Sequence, residues 1–595
     1  MKLKDLFSPF SVWKRSAEKP YTVKDPIKDR PGADRYRGFH KNDLESCIGC
    51  GTCSDICMNE AIDMVPIEGQ ETTEGDSGLR PRIDYGRCCW CALCVDICTT
   101  GSLTMSNEYI WVDSDPEVFR FIPGADSKSW DNSEKGYSRW EGYGLLNPDR
   151  QKMSRMEPQE RISSFLEMVY GYSAEEAKRE ADRCVECGIC VSACPAHMDI
   201  PGYIRAIREN DIGEGMKLMY ETNPFPASCG RMCTHRCETV CAIGHTGDPV
   251  AIRWLKRYLA DSALKDNYNH IRKTAEPDTG HKIAIIGAGP GGLAAAYYLK
   301  MLGHSVTVFE QNEKAGGMLQ YGIPEYRLPA KRLDQDIDFI ESLGITISYQ
   351  TKIGKDISFD HLVKEYDALF FSTGLPEPYT MGINGEDNPY VVSGLQVLED
   401  FTKGKTPQLG QHIAVIGGGN VAMDAARSIR RLGADITILY RRREQDMPAD
   451  TEEIEEAKEE GISIITQAIP VRIEERAGGK AAFVWGEAEM HDQGPGKRPK
   501  PVLIEDKIHT EIYDTIIPAI GQGADYSFLP EEAAKEMEII RYKIKTSAHG
   551  KTGMPGIFAG GDISNNRKDA ISAIADGHKG AIGIDRYLKL EKNKK

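Results

Sequence analysis

Hydrophobic and polar positions divide the chain into two regimes. From His281 onward, short apolar runs alternate with glycine-rich turns and helical stretches, which is the pattern of strand–turn–helix units. Lys282–Ile286 reads as a strand, a helix begins at Leu293–Ala294–Ala295, and Val306–Glu310 reads as the next strand. The pattern recurs at Ile413–Ile416 and Ile436–Tyr440. Lys480–Lys500, rich in Gly, Lys and Pro, reads as a surface hairpin. Before His281 the apolar stripe of Ile162, Phe165, Leu166 and Val169 predicts a helix, and Ala174–Glu175–Glu176–Ala177 predicts another. These shifts divide the chain into an extended arm (1–40), a cysteine-rich segment (41–125), a helical segment (126–280), and three strand–turn–helix segments (281–410, 411–515 and 516–595).

At 595 residues the chain is too long for one core. The net charge of −16 argues against a nucleic-acid partner, which would want a basic face. No apolar run approaches the roughly 20 residues that span a bilayer. Met1–Pro20 lacks the continuous apolar stretch of a signal peptide, so a cytoplasmic protein is expected. Phe7, Phe10, Val12 and Trp13 offer a short amphipathic anchor or docking segment, but the simpler expectation packs the arm on its own domain.

All seventeen cysteines fall between Cys47 and Cys241. Clustered cysteines in a long chain of this kind read as metal ligands rather than disulfides. Cys47, Cys50, Cys53 and Cys57 are followed by Cys88, Cys91, Cys94 and Cys98 at the same spacing. In such runs the first three thiolates wrap one cubane and the fourth serves the other. Cys47, Cys50, Cys53 and Cys98 are therefore assigned to one [4Fe–4S] cluster, and Cys88, Cys91, Cys94 and Cys57 to a second. Zinc pairs two thiolates with two and does not need the third at this spacing. Met58 and Thr99 stand where a proline is usual, and Cys89 is expected to be a packed thiol. Cys184, Cys187, Cys190 and Cys194 repeat the spacing, and Cys229, Cys233, Cys237 and Cys241 follow at intervals of four. These eight suffice for two more clusters.

Gly287, Gly289 and Gly292 lie between a strand and a helix. They permit a tight turn, close approach of a pyrophosphate and close helix packing. Glu310 ends the next strand, where a carboxylate meets an adenosine ribose. In the second turn, Gly417, Gly419, Asn420 and Val421 precede Ala422, and the following strand ends in Arg441, Arg442 and Arg443 with no acid. Guanidinium groups suit a ribose 2′-phosphate, so NADP(H) is preferred over NAD(H).

Residues 30–125 resemble two-cluster bacterial ferredoxins and, with Arg35–Tyr36–Arg37–Gly38, the ferredoxin-like subunit of respiratory complex I. From about residue 160 to the end the chain resembles the small subunit of NADPH-dependent glutamate synthase and the N-terminal half of dihydropyrimidine dehydrogenase. That resemblance is carried by Glu180–Ala181–x–Arg183–Cys184, Asn223–Pro224–Phe225–Pro226, Gly230–Arg231–x–Cys233 and Asp248–Pro249–Val250. Gly316–Gly317–Met318–Leu319, Tyr321–Gly322–Ile323–Pro324, Arg327–Leu328–Pro329, Met447–Pro448–Ala449 and Ile557–Phe558–Ala559–Gly560–Gly561–Asp562 extend it.

The resemblance implies a multidomain α/β chain. Its parts would be a ferredoxin-like α+β module, a helical iron–sulfur domain, and two nested Rossmann-like domains, with FAD on the first glycine turn and NAD(P) on the second. It implies FAD contacts from Gly317, Leu319, Arg327 and Asp562. It also implies that Cys184, Cys187, Cys190 and Cys241 hold one cluster and Cys194, Cys229, Cys233 and Cys237 the other. Relatives place a Glu or Gln ligand where Lys256 stands, and Cys229 would replace it.

The expected chemistry is hydride transfer between NADPH and FAD, then single-electron passage through four clusters, with no catalytic side chain assigned. Expected partners are the nicotinamide dinucleotide and a ferredoxin or larger redox subunit in a hetero-oligomeric complex, electron-bifurcating assemblies included. The alternatives are a glutamate synthase small subunit and a non-catalytic iron–sulfur scaffold.

Overall fold

The computed structural model describes residues 11–20, 22, 24–69, 73–139, 145–272, 275–494 and 496–592. The chain forms two compact units. The first comprises Met1–Arg150, Arg183–Ala193 and Cys237–Val250, and the second Gln151–Asp182, Cys194–Arg236 and Ala251–Lys595.

In the first unit, His40–Asn42 pairs antiparallel with Leu103–Met105, and Ile62–Pro66, Leu79–Asp84 and Arg120–Phe121 form a three-stranded antiparallel sheet. Two one-turn helices, Thr52–Asp55 and Leu93–Asp96, each follow a left-handed residue, Gly51 (φ 77°) and Ala92 (φ 67°). That duplication follows the duplicated cysteine spacing. An aromatic core of Phe39, Tyr85, Phe121 and Trp130 fills the unit, with Phe39 stacked on Trp130 at 4.5 Å. The N-terminal arm is not simply extended, because Ser11–Ser16 and Pro26–Asp29 are short helices. Val12 and Trp13 are exposed rather than packed on the domain, and Phe7 and Phe10 lie outside the described residues.

In the second unit, Ile557–Ala559, Ala368–Phe371, Lys282–Ile286, Ser305–Phe309 and Thr346–Ser348 lie side by side in one parallel sheet. One strand of this sheet comes from near the C-terminus. A second parallel sheet, Ser463–Thr466, Asp435–Tyr440, His412–Ile416 and Thr515–Pro518, is therefore nested inside the first domain in sequence. Both sheets run as near-continuous buried apolar strands, as sheets covered on both faces do. Ala468–Arg476, Lys480–His491 and Lys500–Tyr513 add an antiparallel sheet. The expected surface hairpin thus extends into two long antiparallel strands, Lys480–His491 and Lys500–Tyr513.

The helices of the 126–280 segment include Ala174–Ala181, whose Ser173/Glu176 capping box closes its first turn. The stripe at Ile162–Val169 is not helical. Pro158–Arg161 makes one turn and stops. Ser164 Oγ then accepts the Leu166 amide at 3.1 Å, and the Met168 amide donates to the Tyr326 carbonyl at 3.1 Å. Local serine bonding and a long-range backbone bond replace the helical ladder there.

Among the described residues no helix is long and apolar enough to cross a membrane.

Candidate cofactor and nucleotide sites

In the first unit, Cys57, Cys88, Cys91 and Cys94 open into one cavity walled by Ala61, Ile62, Ile83, Ala92 and Leu93. Burial, with the neighbouring thiols Cys88, Cys91 and Cys57, pushes the Cys94 thiol far up. Cys88 is pushed up to about 11, mainly by burial. Cys53 is likewise raised well above the usual thiol range by burial and by Cys50, Cys94, Cys98 and Cys47. Buried thiols that oppose one another's ionisation are what a bound iron cubane relieves, so the donor sets fit [4Fe–4S] clusters. Cys57, Cys88, Cys91 and Cys94 share this cavity, and Cys53 lies within electrostatic reach of Cys47, Cys50 and Cys98 but of Cys94 as well.

Donors surround the sulfurs. The Ala61 amide lies 3.3 Å from Cys57 Sγ, the Trp90 amide 3.4 Å from Cys88 Sγ, and Thr52 Oγ1 3.0 Å from Cys50 Sγ. His40 went unnoticed in the sequence. It is buried, with Nε2 3.2 Å from Cys94 Sγ and Nδ1 2.7 Å from Tyr85 Oη. Burial lowers its imidazole to about 4, so the ring is neutral. Cys89 is exposed at the rim of the same cavity, not packed as expected. Of the two residues in the usual proline positions, Met58 is exposed, while buried Thr99 accepts the Thr246 hydroxyl on its carbonyl at 3.0 Å.

The second cysteine group is shared between the units. Cys184, Cys187, Cys190 and Cys241 belong to the first, where Cys184 and Cys241 add to the burial that raises Cys187 to about 12 and Cys190 higher. Cys187 also feels Cys50. In the second unit, Cys229 on Pro226–Met232 and Cys233 at its end are buried and mutually close, with Cys194 near Cys233. Buried Lys256 is close enough to draw both Cys229 and Cys233 down against the effect of burial. Cys237, buried on Arg236–Thr239, is counted with the first unit.

The motif residues around these thiols are structural fasteners. Arg183 donates to the carbonyls of Asn147 and Pro148 at 3.1 and 3.0 Å, and also to that of Asp248. Glu180 accepts the amides of Gln151 and Ala251, each at 2.7 Å. Gly230 is required because a Cβ there would meet Arg257 Cα at 2.7 Å.

The first glycine turn has the shape of a phosphate cradle. Gly287 sits at φ 101°, and a Cβ on Gly292 would stand 2.0 Å from the Gly287 carbonyl oxygen. Around a Cβ on Gly289 the nearest group is Gly317 Cα at 3.9 Å, so that face is open. The Pro290–Met301 helix begins there with no side-chain cap, leaving amides for an anion. Glu310, at the neighbouring strand end, accepts the amides of Ala288 and Asn312 at 2.9 and 2.8 Å and keeps lone pairs free.

Gly317 (φ 54°) lies against Gly289, and Leu319 is buried one turn later. Asp562 is held up at about 6 by burial, with Asp569 and Asp576 adding to it. Asp576 accepts the Gly561 amide and Asn565 Nδ2 at 3.2 and 2.7 Å, so Asn565 is woven into this turn. Arg327 is placed differently from the expectation. Its guanidinium is buried and committed to Asp424 at 2.6 Å and Glu453 at 2.8 Å, an ion pair to the nested domain rather than a free cofactor contact. Gly577 was also missed. A Cβ there would meet the Gly291 carbonyl at 2.3 Å, so this glycine lets the Ala570–Lys592 helix lie against the cradle helix.

The second turn repeats the design. Gly417 sits at φ 148°, where a Cβ would meet the Ala519 carbonyl at 2.3 Å. Gly419 precedes the uncapped helix Asn420–Arg430. Asn420 Oδ1 accepts the Asp450 amide at 2.9 Å, and Val421 follows in the first turn. Arg441 is exposed, while Arg442 is half-buried and donates to the Pro499 carbonyl at 2.8 Å. Arg443 is neutralised by Asp446 at 2.8 Å. Residues 242–595 contain no cysteine, so this part has no redox-active disulfide.

A pyridine nucleotide-disulphide oxidoreductase family model matches residues 281–577. The dihydropyrimidine dehydrogenase domain II, 4Fe-4S cluster model matches 161–268, and a 4Fe-4S dicluster domain model matches 46–102. The β subunit of the NADP(+)-dependent formate dehydrogenase of Moorella thermoacetica is 37% identical over 429 residues, covering 67% of this chain and 60% of that one. The β subunit of the NADPH-Fe(3+) oxidoreductase of Geobacter sulfurreducens is 36% identical over 430 residues, 67% of this chain and 63% of that one. The chain thus spans less than two thirds of the length of these two relatives. The glutamate synthase [NADPH] small chain of Escherichia coli is 31% identical over 456 residues, 72% of this chain and 94% of that one. With two iron–sulfur domains ahead of nested FAD and NAD(P) folds, the chain belongs to the family of pyridine nucleotide oxidoreductases that includes the glutamate synthase small chain.

Proposed function

We propose that the protein is the NADPH-linked subunit of a larger redox complex and exchanges electrons between NADPH and a protein partner. The observation that carries this reading is the cavity into which Cys57, Cys88, Cys91 and Cys94 open, in the same chain as two glycine turns shaped for dinucleotides. Cys47, Cys50, Cys53 and Cys98 would hold the second ferredoxin-type cluster, and the eight later thiols two more. Gly287, Gly289, Gly292, Glu310, Gly317, Leu319 and Asp562 would hold FAD. When bound, FAD and the clusters supply the change from paired to single electrons that a nicotinamide lacks.

The chain's own contribution is to bind, orient and insulate. Uncapped helix amides receive phosphates. Apolar walls and N–H donors surround the sulfurs. Gly417, Gly419, Asn420 and Val421 would receive the NADPH pyrophosphate, with Arg441 and Arg442 near its 2′-phosphate. An iron–sulfur wire of four clusters exceeds what a self-contained reductase needs, which favours delivery to a ferredoxin or a larger redox subunit.

The likeness over 94% of the glutamate synthase small chain supports a second reading, in which the partner is a glutamate-forming large subunit. The cysteine-rich residues 46–102, an addition to that pattern, weigh toward the first.

Anaerobic titration of the reconstituted protein with NADPH tests the core of the proposal. Bleaching of the flavin band together with appearance of reduced-cluster EPR signals is expected. A protein that holds clusters yet shows no flavin, or whose flavin NADPH leaves oxidised, overturns it. Co-purification from native cells then identifies the partner.

A further inference from the structure

Residues 496–499, just before the Lys500–Tyr513 strand, fold back onto the end of the arginine-bearing strand Asp435–Tyr440. Arg498 Nη2 donates to Tyr440 Oη at 3.3 Å and to the Asp446 carbonyl, which also accepts the Tyr440 hydroxyl at 2.7 Å. Next to it, the Pro499 carbonyl takes the Arg442 Nε proton at 2.8 Å.

The loop is therefore pinned on both sides of the strand end. Partial burial of the largely exposed Arg441 side chain depresses its guanidinium, and the charges of Arg442 and Arg498 depress it further, so three cations crowd together. Among the described residues none of the three forms an ion pair with a carboxylate, whereas their neighbour Arg443 is paired with Asp446. The Asp446 carboxylate reaches Arg498 only from beyond ion-pair distance, and guanidinium groups crowded in this way are costly unless a further anion shares them.

Tyr440 ties this cluster to the nucleotide turn. A Cβ on Gly418 would lie 2.6 Å from the Tyr440 ring, so the turn rests on one part of that side chain while its hydroxyl holds Arg498.

We propose that Arg498 is a specificity-determining residue that joins Arg441 and Arg442 around the ribose 2′-phosphate. The antiparallel hairpin thereby serves as the latch that selects NADP(H). This inference rests on the NADP reading of the second glycine turn. Arg498 lies 57 residues beyond Arg441 in sequence, and the hairpin brings it to the strand end.

The test is equilibrium binding to the purified full chain, with 2′,5′-ADP against 5′-AMP and NADPH against NADH as probes. Wild type should prefer the 2′-phosphorylated member of each pair. Arg498→Ala should weaken the phosphorylated members roughly tenfold to hundredfold, the loss of one charge-assisted contact. It should leave 5′-AMP and NADH nearly unchanged, and Arg498→Lys should recover part of the loss. Absence of a preference in wild type overturns both the NADP reading and this inference. A preference abolished by Arg441→Ala but intact in Arg498→Ala overturns the inference alone. Equal weakening of phosphorylated and unphosphorylated probes also overturns it, because it shows Arg498 merely props Tyr440 and the Asp446 carbonyl.

Discussion

His40 offers a quantitative test of how the chain sets the potential of the cluster assigned to Cys57, Cys88, Cys91 and Cys94. Tyr85 Oη accepts the His40 backbone amide at 2.6 Å and lies 2.7 Å from Nδ1. In one tautomer the phenol gives its single proton to Nδ1. The single proton of the neutral ring then sits on Nε2, 3.2 Å from Cys94 Sγ, and points at the sulfur. An N–H donor stabilises the more negative, reduced cluster and so raises its potential. A hydrogen bond of this kind contributes about 0.5–1.5 kcal/mol net. With about 59 mV per 1.4 kcal/mol for a one-electron couple, its complete loss corresponds to roughly 20–60 mV. Because the oxidised cluster keeps part of the bond, the upper figure is a ceiling. His40→Leu should therefore lower one midpoint by up to that amount in an anaerobic EPR-monitored titration. Tyr85→Phe, which frees the tautomer, should give a smaller drop. An unchanged or higher potential in His40→Leu with clusters intact would refute the reasoning.

Cys229→Ala should remove about four irons per chain or erase one EPR signal; intact iron and signals would exclude Cys229 as a ligand. Gly292→Val places carbon where a Cβ already lies 2.0 Å from the Gly287 oxygen, so flavin released on denaturation should fall steeply while iron content holds. Arg427→Met takes from Glu456 and Glu460 a buried guanidinium at 2.9 and 2.7 Å, leaving them only Arg155 at 2.9 Å and Arg431 at 2.8 Å. Breaking such a network costs about 3–5 kcal/mol. Amides of the Asn420–Arg430 helix should then exchange faster by a matching factor, and unaltered exchange would show the network to be energetically idle.

The parts legible in the sequence were those whose chemistry is local. Thiol spacing pointed to two ferredoxin-type sets because three members of each, Cys47–Cys53 and Cys88–Cys94, lie within seven residues. The glycine turns were readable because Gly287 and Gly417 need positive φ beside a strand end. What stayed hidden depends on partners distant in sequence. Arg327 looked like a cofactor contact, yet Asp424, 97 residues away, takes its charge. The Ile162–Val169 stripe has helical periodicity, but the Tyr326 carbonyl captures its backbone. His40 carries no spacing signal at all, because 54 residues separate it from Cys94. Arg498 sat within a stretch whose composition suggested only solvent.

The route of the chain between its two units has a practical corollary. It passes from one to the other after residues 150, 182, 193, 236 and 250, and Cys184–Cys190, Cys237 and Cys241 are counted with the N-terminal unit. Cys187 feels Cys50, and Thr246 is fastened to Thr99. A segment sewn in this way is no detachable cassette. Trimming the protein at residue 150 would strip five later thiols, Cys184, Cys187, Cys190, Cys237 and Cys241, of their surroundings.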